Sequence, residues 1–287
     1  MKHLACILGL ILSTNSFAQT TTLSETDAKD LYSKRGSDSM NAKKAADMYG
    51  QLAGSAASDQ DFARYKVGQA DSLYFYAVNL SDRKTKLSVL ESGQDAALAA
   101  AAKLEAKRGQ PKNNNDSTLL AEAYYSYSAS KAKWGSIKGI LSAAGQWKGL
   151  AKYLEAGKKL DAEPGDYGFN RILGIGHHRV PGFFGGDSDL ALPNIEAAYT
   201  NTLVDTPNGL ETSSRVGTTL YYLEILASED EVDTFCEVFE GFLDYDDAAM
   251  KSIYPEKYPE NKMDLDEYKN DPSDEHEKIQ EFADDEC

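Results

Sequence analysis

The side chains most able to do chemistry lie together in residues 176–191, which read GHHRVPGFFGGDSDLA. The stretch begins with His177, His178 and Arg179, and Asp187 follows after a glycine pair. Histidine is a common general base and metal ligand at neutral pH, and the guanidinium of arginine binds anions. The stretch therefore has two competing interpretations: a site that binds or reacts, and a connector that joins two helices.

The spacing of the histidines disfavours a metal site. On a helix, the adjacent side chains of His177 and His178 point about 100° apart, so one helix face cannot present both to one ion. Histidine pairs that bind zinc on a helix are instead one turn apart. The one further histidine beyond residue 18 is His276, near the C-terminus. The sequence thus predicts no metal site and no cofactor.

Catalysis has a similarly weak basis in the sequence. The chain contains no Gly-x-Ser-x-Gly nucleophile motif, and its cysteines lie in no recognisable catalytic signature. We therefore expect no catalytic residues and a protein that is not an enzyme. The alternative is an exported enzyme that uses His177 or His178 as a general base together with distant carboxylates.

The turn-forming residues favour the connector. Helical dihedrals are disfavoured before Pro181, and Pro181 with Gly182 is a typical turn pair. Gly185 and Gly186 permit dihedrals that other residues resist, and Asp187 is a typical residue to cap the next helix. These five residues predict a structural loop between two helices.

Two aromatic side chains in this loop predict a buried plug. Phe183 and Phe184 are apolar for a free loop, so at least one should pack between neighbouring helices, and together they should bury more surface than the histidines. The alternative is a ligand or partner surface made of His177, His178, Arg179, Phe183 and Phe184.

Helical periodicity extends over almost the whole chain. For example, Trp147, Leu150, Ala151 and Leu154 follow the spacing of one helix face. Long polar–apolar alternation is absent from the sequence, and Asn208-Gly209 is the one candidate hairpin turn. Related segments (LESG, LEAG, IEAA) recur from residues 90, 154 and 195, which suggests repeated helix pairs. We expect an all-α, tetratricopeptide-like helix-pair array in a single compact domain.

The N-terminus predicts export. Residues 1–18 have a basic start, an apolar run and small residues before a cleavage point after Ala18, as in a signal peptide. Cys6 lies inside the apolar run, so we expect no lipid anchor and a periplasmic protein that is not membrane-embedded. The net charge of −16 argues against nucleic acid as a partner, since phosphate binding needs clustered cations. Residues 19–263 would then form the repeat domain.

Two cysteines remain after the predicted cleavage, Cys236 and Cys287. In an oxidising compartment such a pair predicts a disulfide, and two free thiols are the alternative. Residues 264–287 are strongly acidic, so we expect a solvated extension, with contact to a basic partner as the alternative. A disulfide would bring Ile279 and Phe282 back across the last helix pair.

Residues 116–205 also carry a family resemblance. Their central motif resembles the run Gly-x-x-x-x-x-x-Pro-Gly-Phe-x-Gly-Gly-Asp of the T-component family of TRAP transporters, followed by an Ala-rich helix. The matching positions are Gly174, Pro181, Gly182, Phe183, Gly185, Gly186 and Asp187.

The resemblance implies an exported, non-enzymatic protein of packed repeat helices. Such a protein binds or supports a periplasmic solute-binding protein, can form a homo-oligomer such as a trimer, and can carry a channel through each protomer. Another exported protein is the alternative partner. A generic periplasmic helical-repeat adaptor is the alternative function.

Overall fold

The computed structural model describes residues 23–106, 114–160, 162–270 and 274–287. The predicted signal peptide, residues 1–18 with cleavage after Ala18, lies outside the described residues. The described helices are α1 (Glu25–Ser33), α2 (Ser39–Gly54), α3 (Asp59–Val78), α4 (Arg83–Glu105), α5 (Asn114–Lys138), α6 (Ile140–Lys158), α7 (Pro164–Arg179), α8 (Ser188–Thr200), α9 (Val216–Ser228), α10 (Val232–Asp244), α11 (Asp247–Ile253), α12 (Tyr258–Asn270) and α13 (Asp274–Glu286).

The all-α prediction is confirmed. The described strands are β1 (Leu203–Asp205) and β2 (Glu211–Ser213), which pair antiparallel with Leu203 opposite Ser213. Gly209, in the turn between them, has a φ of +79°, a left-handed conformation that glycine adopts readily. The Asn208-Gly209 signal thus marks a short hairpin inserted between α8 and α9, and it leaves the helical architecture intact.

Helix-on-helix packing follows the chain order. From α1 to α10, each helix contacts the next, including α8 and α9, which the short hairpin joins. Alternate helices also lie side by side, because α5 contacts α3 and α7, and α7 contacts α9. Apolar side chains on these shared faces form the core, with Leu154 and Phe169 between α6 and α7 and Leu223 in α9. This is the packing of the predicted helix-pair array.

The last two helices close this array. Helix α12 contacts α9, and α13 contacts both α9 and α10. From the N-terminal part of the chain, Arg35 after α1 forms an ion pair with Glu260 of α12, at 2.8 Å between Nη2 and Oε1. The side-chain amide of Asn261 donates to the carbonyl of Ser214, just before α9, at 2.8 Å. Helix α12 therefore connects the first helix pair to the last.

The expectation that residues 264–287 form a solvated extension is wrong. Residue 264 lies inside α12, and Leu265, Ile279 and Ala283 are all buried. The reason is an apolar stripe on α13 that the acidic composition conceals, since the other faces of the helix carry the charge. The segment is part of the packed fold.

A disulfide ties the end of the chain to α10. Cys236 and Cys287 are bonded, with their Cα atoms 5.7 Å apart, as predicted. Beside them, the ring of Phe282 meets the ring of Phe235 edge-on at 4.7 Å. Ile279 is only 1% exposed, so the predicted return of α13 across the last helix pair is confirmed. Among the described residues, no helix has the length and apolar character needed to cross a membrane.

Candidate functional site

The connector interpretation of residues 181–187 is confirmed. Pro181 precedes a 3₁₀ turn, Gly182–Phe184, and Gly185 follows with a φ of +98°. Asp187 caps α8, since its side chain accepts a hydrogen bond from the backbone N–H of Asp189 at 3.2 Å. A Cβ on Gly186 would lie 1.5 Å from the carbonyl oxygen of Val180. Only glycine fits there, because the chain doubles back on the end of α7.

The prediction that the loop phenylalanines are more buried than the histidines is wrong for Phe183 compared with His177. Phe183 is 77% exposed, whereas His177 is 9% exposed. Trp147 of α6 fills the space beneath the loop, where its indole Nε1 donates to the carbonyl of Gly185 at 2.9 Å. Its ring also lies against Gly176, where any Cβ would collide with it. The rings of Phe183 and Phe184 lie against each other, with centroids 4.3 Å apart, and Phe184 is half-buried.

The two histidines lie in separate surroundings. The ring of His177 meets Trp147 edge-on at 5.1 Å, and its buried Nδ1 has no hydrogen-bond partner among the described residues. His178 Nε2 lies 3.5 Å from Oε1 of Glu224, which also accepts from Nε of Arg179 at 2.7 Å. Burial lowers the pKa of both histidines, which favours their neutral forms.

The proposed ligand surface of His177, His178, Arg179, Phe183 and Phe184 is therefore not one continuous surface. His177 faces the interior under the loop, Phe183 faces solvent, and Arg179 is held by α9. Within the described ranges, no cluster of three or more His, Cys, Asp or Glu side chains could hold a metal ion.

The structure instead places a cavity of about 520 Å³ where α3, α5, α6, α7 and α9 meet the two closing helices. Among the five residues of the proposed surface, Arg179 lines it. The lining side chains used below are Tyr74, Tyr125, Ala132, Lys133, Trp134, Trp147, Leu150, Arg171, Leu220, Tyr221, Asp264 and Glu267.

Aromatic side chains form much of the cavity wall. The chain has two tryptophans, Trp134 and Trp147, and both line the cavity. Tyr125 is seated on the start of α7, where a Cβ on either Gly165 or Gly168 would lie within 2.2 Å of its ring. The two glycines therefore allow the ring to pack against backbone, and this contact fixes the direction of its hydroxyl.

Arg171 of α7 supplies a positive charge to the cavity. Its guanidinium donates to three neutral oxygens: the Tyr125 hydroxyl at 2.9 Å, Thr218 Oγ1 at 3.2 Å and the Gly165 carbonyl at 3.2 Å. In the part of the chain that the structure describes, no carboxylate lies within ion-pair distance of it. Arg171 is thus held in place without a counter-ion.

The backbone that supports Arg171 is itself unusual. Gly165, Asp166 and Tyr167 have φ values of 65°, 53° and 57°, so the first turn of α7 is left-handed. An ion pair of Asp166 with Arg215, 2.6 Å long, holds this turn. Left-handed backbone at non-glycine residues costs energy and persists only where its surroundings fix it. Here the turn directs the Gly165 carbonyl toward Arg171.

Asp264 of α12 supplies the opposite charge. Burial raises the pKa of this carboxyl to about 6, although Lys133 and Arg171 favour its charged form. Its Oδ2 lies against α9, 2.8 Å from the point where a Cβ on Gly217 would be. Among the described residues, no donor is placed to hydrogen-bond it.

Sequence reasoning missed Arg171 and Asp264. Arg171 had a usable signal, since it is the one charged residue in the otherwise apolar or uncharged stretch GFNRILGIG, residues 168–176. Asp264 had no local signal, because it is one of many acidic residues near the C-terminus. Its role depends on α12 packing across the array.

No protein-family model matches this sequence, and a search of the curated proteins finds no match.

Proposed function

We propose that this protein is a non-enzymatic, exported helical-repeat protein that holds a small solute in its interior cavity and assists a periplasmic solute-binding protein. The observation that carries the proposal is the cavity of about 520 Å³. Ligand sites in proteins have volumes of about 300–1,000 Å³, with apolar and aromatic walls and a few placed polar groups. The partner and the export are supported by the resemblance to TRAP T-components and by the signal-peptide pattern.

The enzyme alternative would place its general base outside the cavity lining. Neither His177 nor His178 is among the lining residues of the cavity. A general base must reach the proton that it removes, directly or through one water. The buried Nδ1 of His177 faces the interior of the loop, and Nε2 of His178 faces Glu224. The generic adaptor alternative differs from the proposal in needing no bound solute.

A cavity-filling variant tests the proposal. Ala132 lines the cavity, so Ala132→Phe should place a ring inside it, whereas Ala248→Phe adds the same ring at an exposed position on α11. We expect native mass spectrometry of gently purified protein from the exported fraction to detect a bound small molecule in wild type and in Ala248→Phe. Ala132→Phe should lose it. Two results together would contradict the proposal. Wild type would carry no bound molecule, and its tryptophan fluorescence would not change when a concentrated small-molecule extract is added.

The partner is tested separately. Affinity capture from a periplasmic extract should recover a solute-binding protein with wild type and with Ala248→Phe. Capture of exported proteins that include no solute-binding protein would favour the adaptor alternative instead.

A further inference from the structure

We infer that the solute is a small zwitterion whose carboxylate is bound by Arg171, whose ammonium is bound by Asp264 and whose apolar body lies against the aromatic wall. This inference rests on the proposed function, and it adds the chemical class of the ligand.

The first step is the donor inventory of Arg171. A guanidinium has five N–H donors, and the three hydrogen bonds that Arg171 makes use two on Nη1 and one on Nη2. The remaining donors are on Nε and Nη2, which together form the edge that binds a carboxylate through two parallel hydrogen bonds. A charge inside a protein is costly unless a counter-ion accompanies it. The structure therefore leaves a pre-positioned anion site at this edge.

The second step is the position of Asp264 relative to Arg171. Arg171 donates to Thr218, and Asp264 lies against Gly217, the preceding residue of α9. The two charged groups thus approach adjacent residues of one helix without forming a direct ion pair. A small molecule can span the space between them.

The third step is charge balance. A simple carboxylate would compensate Arg171 but would lie near the negative Asp264, and a dianion would be repelled more strongly. A simple amine would compensate Asp264 and leave Arg171 without a counter-ion. A zwitterion satisfies Arg171 and Asp264 and adds no net charge to a cavity whose lining also includes Lys131, Lys133, Glu267 and Glu275. Burial raises the pKa of Asp264 to about 6, and a ligand ammonium beside this carboxyl would favour its charged form.

The fourth step is the shape of the remaining wall. Tyr74, Tyr221, Leu150 and Leu220 line the cavity together with both tryptophans. Such a surface favours an aromatic or branched aliphatic body. An amino acid with an apolar side chain has all three features, namely carboxylate, ammonium and apolar body.

Three probes of matched size test the inference: L-phenylalanine, 3-phenylpropanoate, which lacks the ammonium, and 2-phenylethylamine, which lacks the carboxylate. The readout is intrinsic tryptophan fluorescence of the full exported chain with its disulfide intact, confirmed by calorimetry. We expect L-phenylalanine to bind at least about tenfold more tightly than either analogue, since each lost charged contact is worth at least one such factor. Equal binding of 3-phenylpropanoate and L-phenylalanine would overturn the inference.

Two variants assign the contacts. Asp264→Asn should remove the preference for L-phenylalanine over 3-phenylpropanoate, and it should fold because it removes a buried charge. Asp266→Asn, at an exposed position of the same helix, is the matched control and should bind as wild type does. Arg171→Gln should remove the preference over 2-phenylethylamine. An unchanged preference in Asp264→Asn would overturn the assignment of the ammonium site.

The outcomes separate the inference from the function on which it rests. If none of the probes binds while native mass spectrometry still finds a solute that Ala132→Phe loses, the zwitterion is wrong and the proposed function stands. If no molecule of any kind binds, both are wrong.

Discussion

Arg171 and Asp264 line the cavity, and neither forms an ion pair with another of the described residues. Most other interior cations have a carboxylate partner, as Arg179 has Glu224 and Arg215 has Asp166. In a structural ion pair each charge neutralises the other, whereas a charge that contacts only neutral groups is available to bind a ligand of opposite charge. This difference is the residue-scale basis for placing the site in the cavity.

The raised pKa of Asp264 predicts a pH-dependent effect of Asp264→Asn. The folded pKa of about 6 exceeds the reference value of 3.8, so the native state binds the proton more tightly and wild-type stability falls as pH rises between these values. We expect Asp264→Asn to stabilise the protein at pH 8 by about 1–3 kcal/mol, with little effect at pH 3.5. Urea unfolding across this pH range measures it. A difference from wild type that is the same at every pH would contradict the assignment.

The loop glycines predict a contrast between neighbouring positions. Gly186→Ala should destabilise the protein by about 2–4 kcal/mol, because the new methyl group would overlap the Val180 carbonyl. Gly182→Ala, where a Cβ would meet nothing within 4 Å, should change stability by less than about 0.5 kcal/mol. Thermal unfolding of the two variants measures the contrast. Equal effects would show that the loop can move away from α7.

Among elements, α13 is held by the disulfide, by one apolar stripe and by contacts of His276 and Gln280 with Tyr268 of α12. Ile279, Phe282 and Ala283 form that stripe, and the rest of the helix is mostly charged. Packing of the stripe and the covalent bond therefore act on the same element, and each supports the other.

Breaking the disulfide should destabilise the fold and loosen α13. The bond joins residues 51 positions apart, for which the chain-entropy model gives about 4 kcal/mol. Denaturant unfolding of wild type with and without reductant should show a loss of up to this size, and hydrogen exchange should rise in α13 first. The double variant Cys236→Ser/Cys287→Ser is the control and should not respond to reductant. Undiminished protection of α13 after reduction would mean that packing alone holds it.

The elements also show what sequence alone can and cannot predict. The helices and the connector at Pro181–Asp187 follow from local signals, namely periodicity, proline, glycine and a capping aspartate. The exposure of Phe183 does not, because it depends on Trp147 reaching the same space from another helix. Asp264 is the extreme case, since its position is set by packing between α12 and α9.

At the scale of the whole molecule, α12 is the element that makes the array one cooperative unit. A repeat array normally depends on contacts between neighbours, so its ends can unfold separately. Here Arg35 and Glu260 join positions 225 residues apart in the chain. The N-terminal helix pair therefore shares its stability with the C-terminal helices.

Removing the ion pair between Arg35 and Glu260 should destabilise the N-terminal helix pair, α1 and α2. Glu260→Gln should cost about 1–3 kcal/mol, because the largely buried Arg35 guanidinium loses its charged partner. Hydrogen exchange should rise in α1 and α2 more than in α5 or α6. Glu240→Gln, at an exposed position on α10, is the control and should leave exchange unchanged. A uniform rise over all helices would contradict a local connection.

The closing helices follow every other cavity-lining helix along the chain. Asp264 and Glu267 of α12, with Glu275 and His276 of α13, supply one side of the cavity. During synthesis, α1 to α9 can assemble through contacts between neighbouring helices before α12 and α13 complete the cavity. A chain truncated before α12 would keep most of its helices but would lack this side of the cavity. Formation of the complete cavity thus depends on α12 and α13 being present and folded against α9.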